Sequence, residues 1–212
     1  MGDGSRGQLG HAELGYKHVP KLVEALAPDF QGEKDLIRAV ATSGLDVFAH
    51  NVECVERLDP IVRDPRATFS QSKMILEEAT RLRPDILTKT SIMVGIGETD
   101  EEVTSTMAEL RTVGVDLITI GQYLAPSKKH LKVDRFPEPH LYDQWSEIAI
   151  NLGFSGVASG PFVRSSFKAG LLLRKTLNPN NNETLPGAYV RVKNNTKVEQ
   201  HHLSPVACEV KQ

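Results

Sequence analysis

The stretch Thr88-Lys-Thr-Ser-Ile-Met-Val-Gly-Ile-Gly-Glu-Thr-Asp100 limits what this chain can fold into more than any other. It begins as an apolar, β-branched run, the composition of a buried strand. It breaks at Gly95 and Gly97, presents Glu98 and opens a helix at Thr99. Thr99-Asp-Glu-Glu102 is a capping box, with a hydroxyl at the cap and a carboxylate three residues on. A strand, a glycine turn and a capped helix in immediate succession form the unit by which α/β proteins hold ligands. Glycine lets the backbone approach a ligand, and the helix start offers unpaired N–H groups.

The same unit recurs along the chain. Val19–Ala27 is predicted as a strand, although Glu24 interrupts its apolar run. Leu36, Ile37, Val40 and Ala41 mark one face of a helix over Glu33–Thr42, stopped by Gly44. Leu45–His50 reads as the next strand. Residues 51–67 are polar and proline-broken, so they read as a loop carrying a short helix. Ser70–Leu82 follows as a helix, then the stretch above. Val103, Met107, Leu110 and Val113 give its helix a buried face ending at Gly114. Val115–Ile120 is a strand, 127–136 a basic and mobile loop, Pro139–Leu152 a helix stopped by Gly153, and Phe154–Ser159 a last short strand. Residues 1–16 are Gly-rich and read as disordered or frayed. Residues 17–175 form the folded unit, and 176–212 a polar tail read as disordered.

Strand–helix alternation implies parallel strands with helices outside. Four or five strands cannot close an eight-stranded barrel, which leaves a partial barrel or an open sheet. Glu24, His50, Lys89, Ser91 and Gln122 lie on or beside the strands. They would be costly to bury in a flat sheet covered on both faces, whereas in a barrel mouth or lumen they line a ligand cavity. A net charge of −2 and a pI of about 6.4 give no basic field for nucleic acid. No apolar run reaches the ~18 residues of a membrane span. Two cysteines, Cys54 and Cys208, cannot build an iron–sulfur site alone.

Several groups could carry chemistry. Lys89 could be a Schiff-base nucleophile of an aldolase, or a cation paired with Glu24 or Glu98. Asn51 and Glu53, two apart at a strand end, could face a pair of ligand hydroxyls, or His50 and Asn51 could merely cap the strand. Gly95-Ile-Gly97-Glu98 could cradle a nucleotide-like ligand or make a plain turn. Arg164-Ser-Ser166 could hold an anion or supply a ligand oxygen. Arg63 and Arg66 could bind a carboxylate, with a solvated Asp64–Arg66 pair as the alternative. Cys54 reads as a small buried residue.

Eight motifs in unbroken order carry a family resemblance: Ala27-Pro-Asp-Phe30, Ser43-Gly-Leu-Asp-Val47, Ala49-His-Asn-Val-Glu53, Val62-Arg-Asp-Pro-Arg-Ala67, Thr88-Lys-Thr-Ser-Ile-Met93, Gly121-Gln-Tyr123, Ala158-Ser-Gly-Pro161 and Val163-Arg-Ser-Ser166. Over about residues 21–170 the chain resembles the lipoyl synthases. The resemblance implies an α/β fold, a partial (β/α) barrel of the radical S-adenosylmethionine type. It implies S-adenosylmethionine and two [4Fe–4S] clusters as cofactors. One cluster cleaves S-adenosylmethionine to a radical that abstracts hydrogen from C6 and C8 of a protein-bound octanoyl chain. The other is consumed as the sulfur donor.

Carried over by motif, Asn51 and Glu53 fall where the family contacts S-adenosylmethionine. Gly95, Gly97 and Glu98 fall beside the adenine, and Ser165 or Ser166 is the serine ligand of the auxiliary cluster. No catalytic residue is carried over. Cys54 and Phe167 stand where the family has threonine and tyrosine. The six cluster cysteines of the family lie upstream of the matched region. Neither of their two sets occurs in this sequence, nor do the first two barrel strands, so an N-terminally truncated and inactive chain is expected. Implied partners are octanoylated lipoyl carrier domains and a ferredoxin or flavodoxin, with no nucleic acid or membrane, in the mitochondrion. A non-catalytic partial barrel that binds carrier domains is the competing reading, and an aldolase using Lys89 the third.

Overall fold

The computed structural model describes residues 22–166, 169–177 and 189–192. The readings for residues 1–16, for Phe167 and for Cys208 lie outside these ranges, as does most of the tail. Five parallel strands, β1 (Glu24–Leu26), β2 (Val47–Ala49), β3 (Leu87–Val94), β4 (Leu117–Gln122) and β5 (Gly156–Gly160), stand side by side in chain order. A doubly wound sheet would reverse its order at a switch point. Sequential order means that every crossover returns on the same side, which is how a barrel is wound. The fold is therefore α/β with the winding of a partial (β/α) barrel.

The helices are α1 (Lys34–Ala41), α2 (Asp59–Val62), α3 (Phe69–Leu82), α4 (Asp100–Thr112), α5 (Pro139–Leu152) and α6 (Ala169–Leu177). The predicted elements are all present, several shortened at their ends. Within the Val19–Ala27 segment the strand keeps only Glu24–Leu26, and residues 19–21 lie outside the described range.

Alternation along the strands assigns the two faces. Phe48, Ile92, Val94, Ile118, Ile120 and Val157 face outward. They pack under α1, α3, α4 and α5 through Ile37, Ile75, Met107, Leu110 and Trp145. Leu87, Lys89, Ser91 and Met93 share the inner face. At its floor Val47, Leu87 and Leu117 pack against Leu173 of α6. A Cβ added at Gly156 would meet Thr176 Oγ1 at 2.4 Å, so α6 sits directly on β5. The sequence reading passed over α6, whose short Leu171-Leu-Leu173 run precedes the change of composition after Arg174. Residues Tyr189–Val192 pair antiparallel with β5 as β6. They fall inside the segment read as a disordered tail, where polar neighbours masked a β-branched tetrapeptide.

The capping box of α4 is formed as predicted, with Glu102 N–H bonded to Thr99 Oγ1 and Thr99 N–H to Glu102 Oε2. Arg57 adds bonds of 2.6 and 2.9 Å to the same carboxylate. These bonds, that to Arg57 first, lower the pKa of Glu102 from an ordinary 4.5 to about 2. A carboxylate lowered on folding stabilises the fold fully above its unfolded value, and that contribution disappears as pH falls through the folded one. Replacing Glu102→Gln should therefore flatten the acid limb of stability between pH 4.5 and about 2, read as urea midpoints against pH.

Candidate functional site

The candidate residues gather at the carboxyl ends of the strands, the side where parallel α/β folds hold ligands. The chain leaves β2 at Ala49 and enters a segment fastened on both sides. His50 Nδ1 lies 3.0 Å from the Ala27 carbonyl and its Nε2 lies 3.0 Å from Ser72 Oγ. Arg63 Nη1 is 2.9 Å from the same Ser72 oxygen. Ser72 accepts from Arg63, and the Ala27 carbonyl can only accept, so Nδ1 carries a proton and in the neutral ring Nε2 accepts from the Ser72 hydroxyl. His50 is then neutral, with its Nδ1–H donated to Ala27, in keeping with a pKa lowered by burial. This chain of bonds ties the ends of β1 and β2 to α3.

Beyond His50 the backbone continues along β3. Val52 N–H bonds to Thr90 Oγ1, Glu53 N–H to the Ser91 carbonyl at 3.1 Å, and Met93 N–H to the Glu53 carbonyl at 2.8 Å. Glu53 takes φ = +69°, a conformation that costs a residue with a Cβ about 1–3 kcal/mol unless its surroundings impose it. Its two backbone bonds to β3 impose it here. Asn51 and Glu53 line a cleft of about 440 Å³ together with Ala27, Asp29, His50 and Arg63. Burial raises the pKa of the Glu53 carboxyl, opposed by a side-chain hydrogen bond from Asn51 and by the charge of Arg63. The structure thus brings Asn51 and Glu53 into one concave site.

The glycine turn ends β3 at the same carboxyl-end rim. Glu98 folds back into it, accepting from Gly95 N–H at 2.7 Å and Ile96 N–H at 3.0 Å, with Arg135 Nη2 at 3.5 Å. Both of its oxygens are thus engaged by the turn. Gly95, at φ = +94°, has no room for a side chain: a Cβ would lie 2.3 Å from Gln122 Nε2 and 2.4 Å from the Arg135 carbonyl. Gly97 has open space at that position. Of this trio, Gly97 leaves surface for a ligand, and Gly95 and Glu98 shape the turn. The loop expected to be mobile is held here, since Asp134 and Arg135 donate to the Gly95 carbonyl and Arg135 pairs with Asp100 at 2.7 Å.

Ser165 and Ser166 follow β5 on the same rim. The turn before them packs on the end of β4, where a Cβ at Gly121 would meet the Val163 carbonyl at 2.0 Å. Neither serine lines the Asn51–Glu53 cleft. Lys89 is buried on the inner face and ion-paired with Glu24 at 2.6 Å. An ammonium so held has no lone pair for a carbonyl, and nothing favours an aldolase.

Gln122 departs from the reading that places it in a barrel mouth or lumen, whereas His50 does line the cleft while its ring is held from α3. His50 binds α3, and Gln122 accepts from Tyr142 of α5 at 3.1 Å while donating to the Tyr123 and Arg135 carbonyls. Both turn to the helix layer because partners for a buried polar group stand there. Sequence reasoning missed Tyr142 and Ser72, which look like ordinary residues of helix faces, and the anchoring role of Arg135. Cys54 is buried, and that burial pushes its thiol up to about 12. Asp64 and Arg66 form the exposed pair that was the alternative to a carboxylate site. Among the described residues no group of three or more His, Cys, Asp or Glu is placed to hold a metal ion.

The two glycines should respond differently to substitution. Gly97→Ala should cost about 1–2 kcal/mol, the backbone strain alone. Gly95→Ala adds a steric clash with Gln122 and the Arg135 carbonyl and should cost clearly more, read by urea unfolding of the two variants.

No protein-family model matches the chain. It is 51% identical over 170 residues to the mitochondrial lipoyl synthase of Schizosaccharomyces pombe, covering 74% of this chain and 46% of that protein. It is 56% identical over 158 residues to the mitochondrial lipoyl synthase of Laccaria bicolor, covering 74% and 40%. It is 51% identical over 162 residues to that of Branchiostoma floridae, covering 76% and 43%. The chain spans less than half the length of these relatives. Identity at this level extends over about three quarters of the chain, and the chain belongs to the lipoyl synthase family.

Proposed function

We propose that this chain forms the S-adenosylmethionine-binding side of a lipoyl synthase, an enzyme that inserts two sulfur atoms at C6 and C8 of a protein-bound octanoyl group. The observation that carries this reading is the cleft in which Asn51 and Glu53 stand together. A carboxylate accepts and an amide both donates and accepts, so the pair suits the vicinal hydroxyls of a ribose. Partial burial makes each such bond stronger than it would be in water. Gly97 leaves open backbone on the neighbouring turn, against which a flat base can lie. These residues fit the cofactor. Once bound, it supplies the radical chemistry, and the chain's own groups hold and orient it.

The clusters are a different matter. The sequence holds two cysteines, and a [4Fe–4S] cluster is held by several thiolates. The buried Cys54 stays a thiol, and a serine at 165 or 166 provides one ligand at most. The residues present do not fit a cluster, and sulfur insertion is not proposed for these residues by themselves. The cysteine count also favours a second reading, a non-catalytic barrel that binds lipoyl carrier domains. Octanoylated carrier domains and a ferredoxin or flavodoxin are the proposed partners. The relatives' names support a mitochondrial location.

Calorimetric titration with S-adenosylmethionine tests the leading reading. Glu53→Gln should weaken binding about 10- to 100-fold, the loss of a hydrogen bond to a charged group worth about 1.5–3 kcal/mol. Stability should not fall. A carboxyl whose pKa is raised on folding opposes the fold when ionised, so the amide should be neutral or stabilising above the ordinary 4.5. Unchanged affinity in this variant would remove the cleft from the reading. Anaerobic reconstitution with iron and sulfide should leave fewer than about four irons per chain, and four or more would overturn the cluster argument.

A further inference from the structure

The segment that leaves β4 combines three features on one rim. Leu124, Leu131 and Phe136 are exposed large apolar residues, Phe136 at 70%. Between them stand Lys128, Lys129 and Lys132, all exposed and none in an ion pair among the described residues. The segment is also held in shape. Tyr123 Oη donates to the Leu131 carbonyl at 3.0 Å, Ser127 Oγ meets His130 Nδ1 at 2.9 Å, and Asp134 N–H bonds to the Gly95 carbonyl at 2.9 Å. Phe162, 72% exposed, lies in the turn after β5, next to Val163, whose carbonyl packs on Gly121 at the end of β4 from which the segment departs.

Exposed aromatic and leucine side chains with a fringe of unpaired lysines are the composition of a protein-docking surface, apolar contact with charge steering. A chain of net charge −2 that concentrates positive charge here selects a partner by local charge rather than by a general attraction for polyanions. A loop already fixed at both ends loses little entropy on association. It stands next to the glycine turn, where a reacting group has to be delivered.

We infer that the 124–136 loop and Phe162 form the docking surface for an acidic protein domain that carries the acylated lysine. This rests on the lipoyl synthase reading and adds the surface and the charge of the partner to it. The acidic face meets Lys128, Lys129 and Lys132, and apolar side chains cover Leu124, Phe136 and Phe162. The acyl-lysine then enters over the carboxyl ends of the strands.

The test measures binding of the full chain to a purified octanoylated lipoyl carrier domain. The wild-type chain should bind, and more weakly as salt rises. The triple variant Lys128→Glu, Lys129→Glu, Lys132→Glu should weaken binding at least about tenfold, and Phe162→Ser should do so without steepening the salt dependence. S-adenosylmethionine binding by the same variants monitors the fold, since none of these residues lines the cleft. Carrier binding by the triple variant within twofold of wild type would overturn the inference and leave the cofactor reading intact. A wild-type chain that binds S-adenosylmethionine but no carrier would also overturn it. So would lysine-dependent binding to phosphatidylserine vesicles with carrier binding unaffected, since the loop would then be a membrane contact.

Discussion

The inner face of this sheet depends on one ion pair between a buried lysine and a half-buried glutamate. Lys89, in the first half of the longest strand, reaches across β2 to Glu24 on the edge strand β1. A lone buried charge of either sign would be very costly, whereas the pair satisfies both at once. It also gives β1, only three residues long, a tie to β3 that its backbone bonds to β2 cannot supply. Below the pair lies a dry floor of Val47, Leu87 and Leu117 under α6. Above it the strand ends carry the cleft and the glycine turn. The pair thus marks the level at which the inner face changes from a packed core to a ligand-facing rim. Removing either partner alone would strand a charge at that level.

The rim applies the same rule to its backbone. Parallel strands that stop short leave N–H and carbonyl groups to be satisfied by something else. Here side chains and loops do it. His50 closes the Ala27 carbonyl, Glu98 closes two N–H groups of the turn, and residues 134 and 135 close the Gly95 carbonyl. Each closure is also a positioning device. His50 relates β1 to α3, which fixes the width of the cleft. The 134–135 contact brings the lysine-bearing loop over the turn.

Much of this was legible in the sequence because it is local. The capping box of α4 and the strand–turn–helix order depend on residue types a few positions apart. The glycine after α5 is equally readable, and Gly153 takes φ = +104° as its position at a helix stop predicts. The direction of a polar side chain at a strand end is not local. Gln122 was expected in a barrel mouth or lumen and instead finds its partner on α5, and His50, which does line the cleft, is held from α3; the partners Tyr142 and Ser72 look in sequence like any residue of a helix face. The basic loop read as mobile for a similar reason. Its anchors are a carbonyl at Gly95 and a carboxylate at Asp100, some 35 residues earlier in the chain.

Two carboxylates show why a motif can mark a site without saying what each of its members does. Glu53 and Glu98 both follow a strand, both belong to family-like motifs, and both stand at the carboxyl ends of the strands. Glu98 is surrounded by donors of its own turn and by Arg135, so the fold itself uses its charge. Glu53 receives from Asn51, is driven toward protonation by burial, and sits on a backbone conformation that two bonds to β3 enforce. A carboxyl whose surroundings under-satisfy it gains most from a ligand that donates two hydroxyls. On the proposed reading, affinity for such a ligand falls to Glu53, while Glu98 holds the shape of the turn. The division follows from which donors the fold has already placed, something that spacing along the chain cannot reveal.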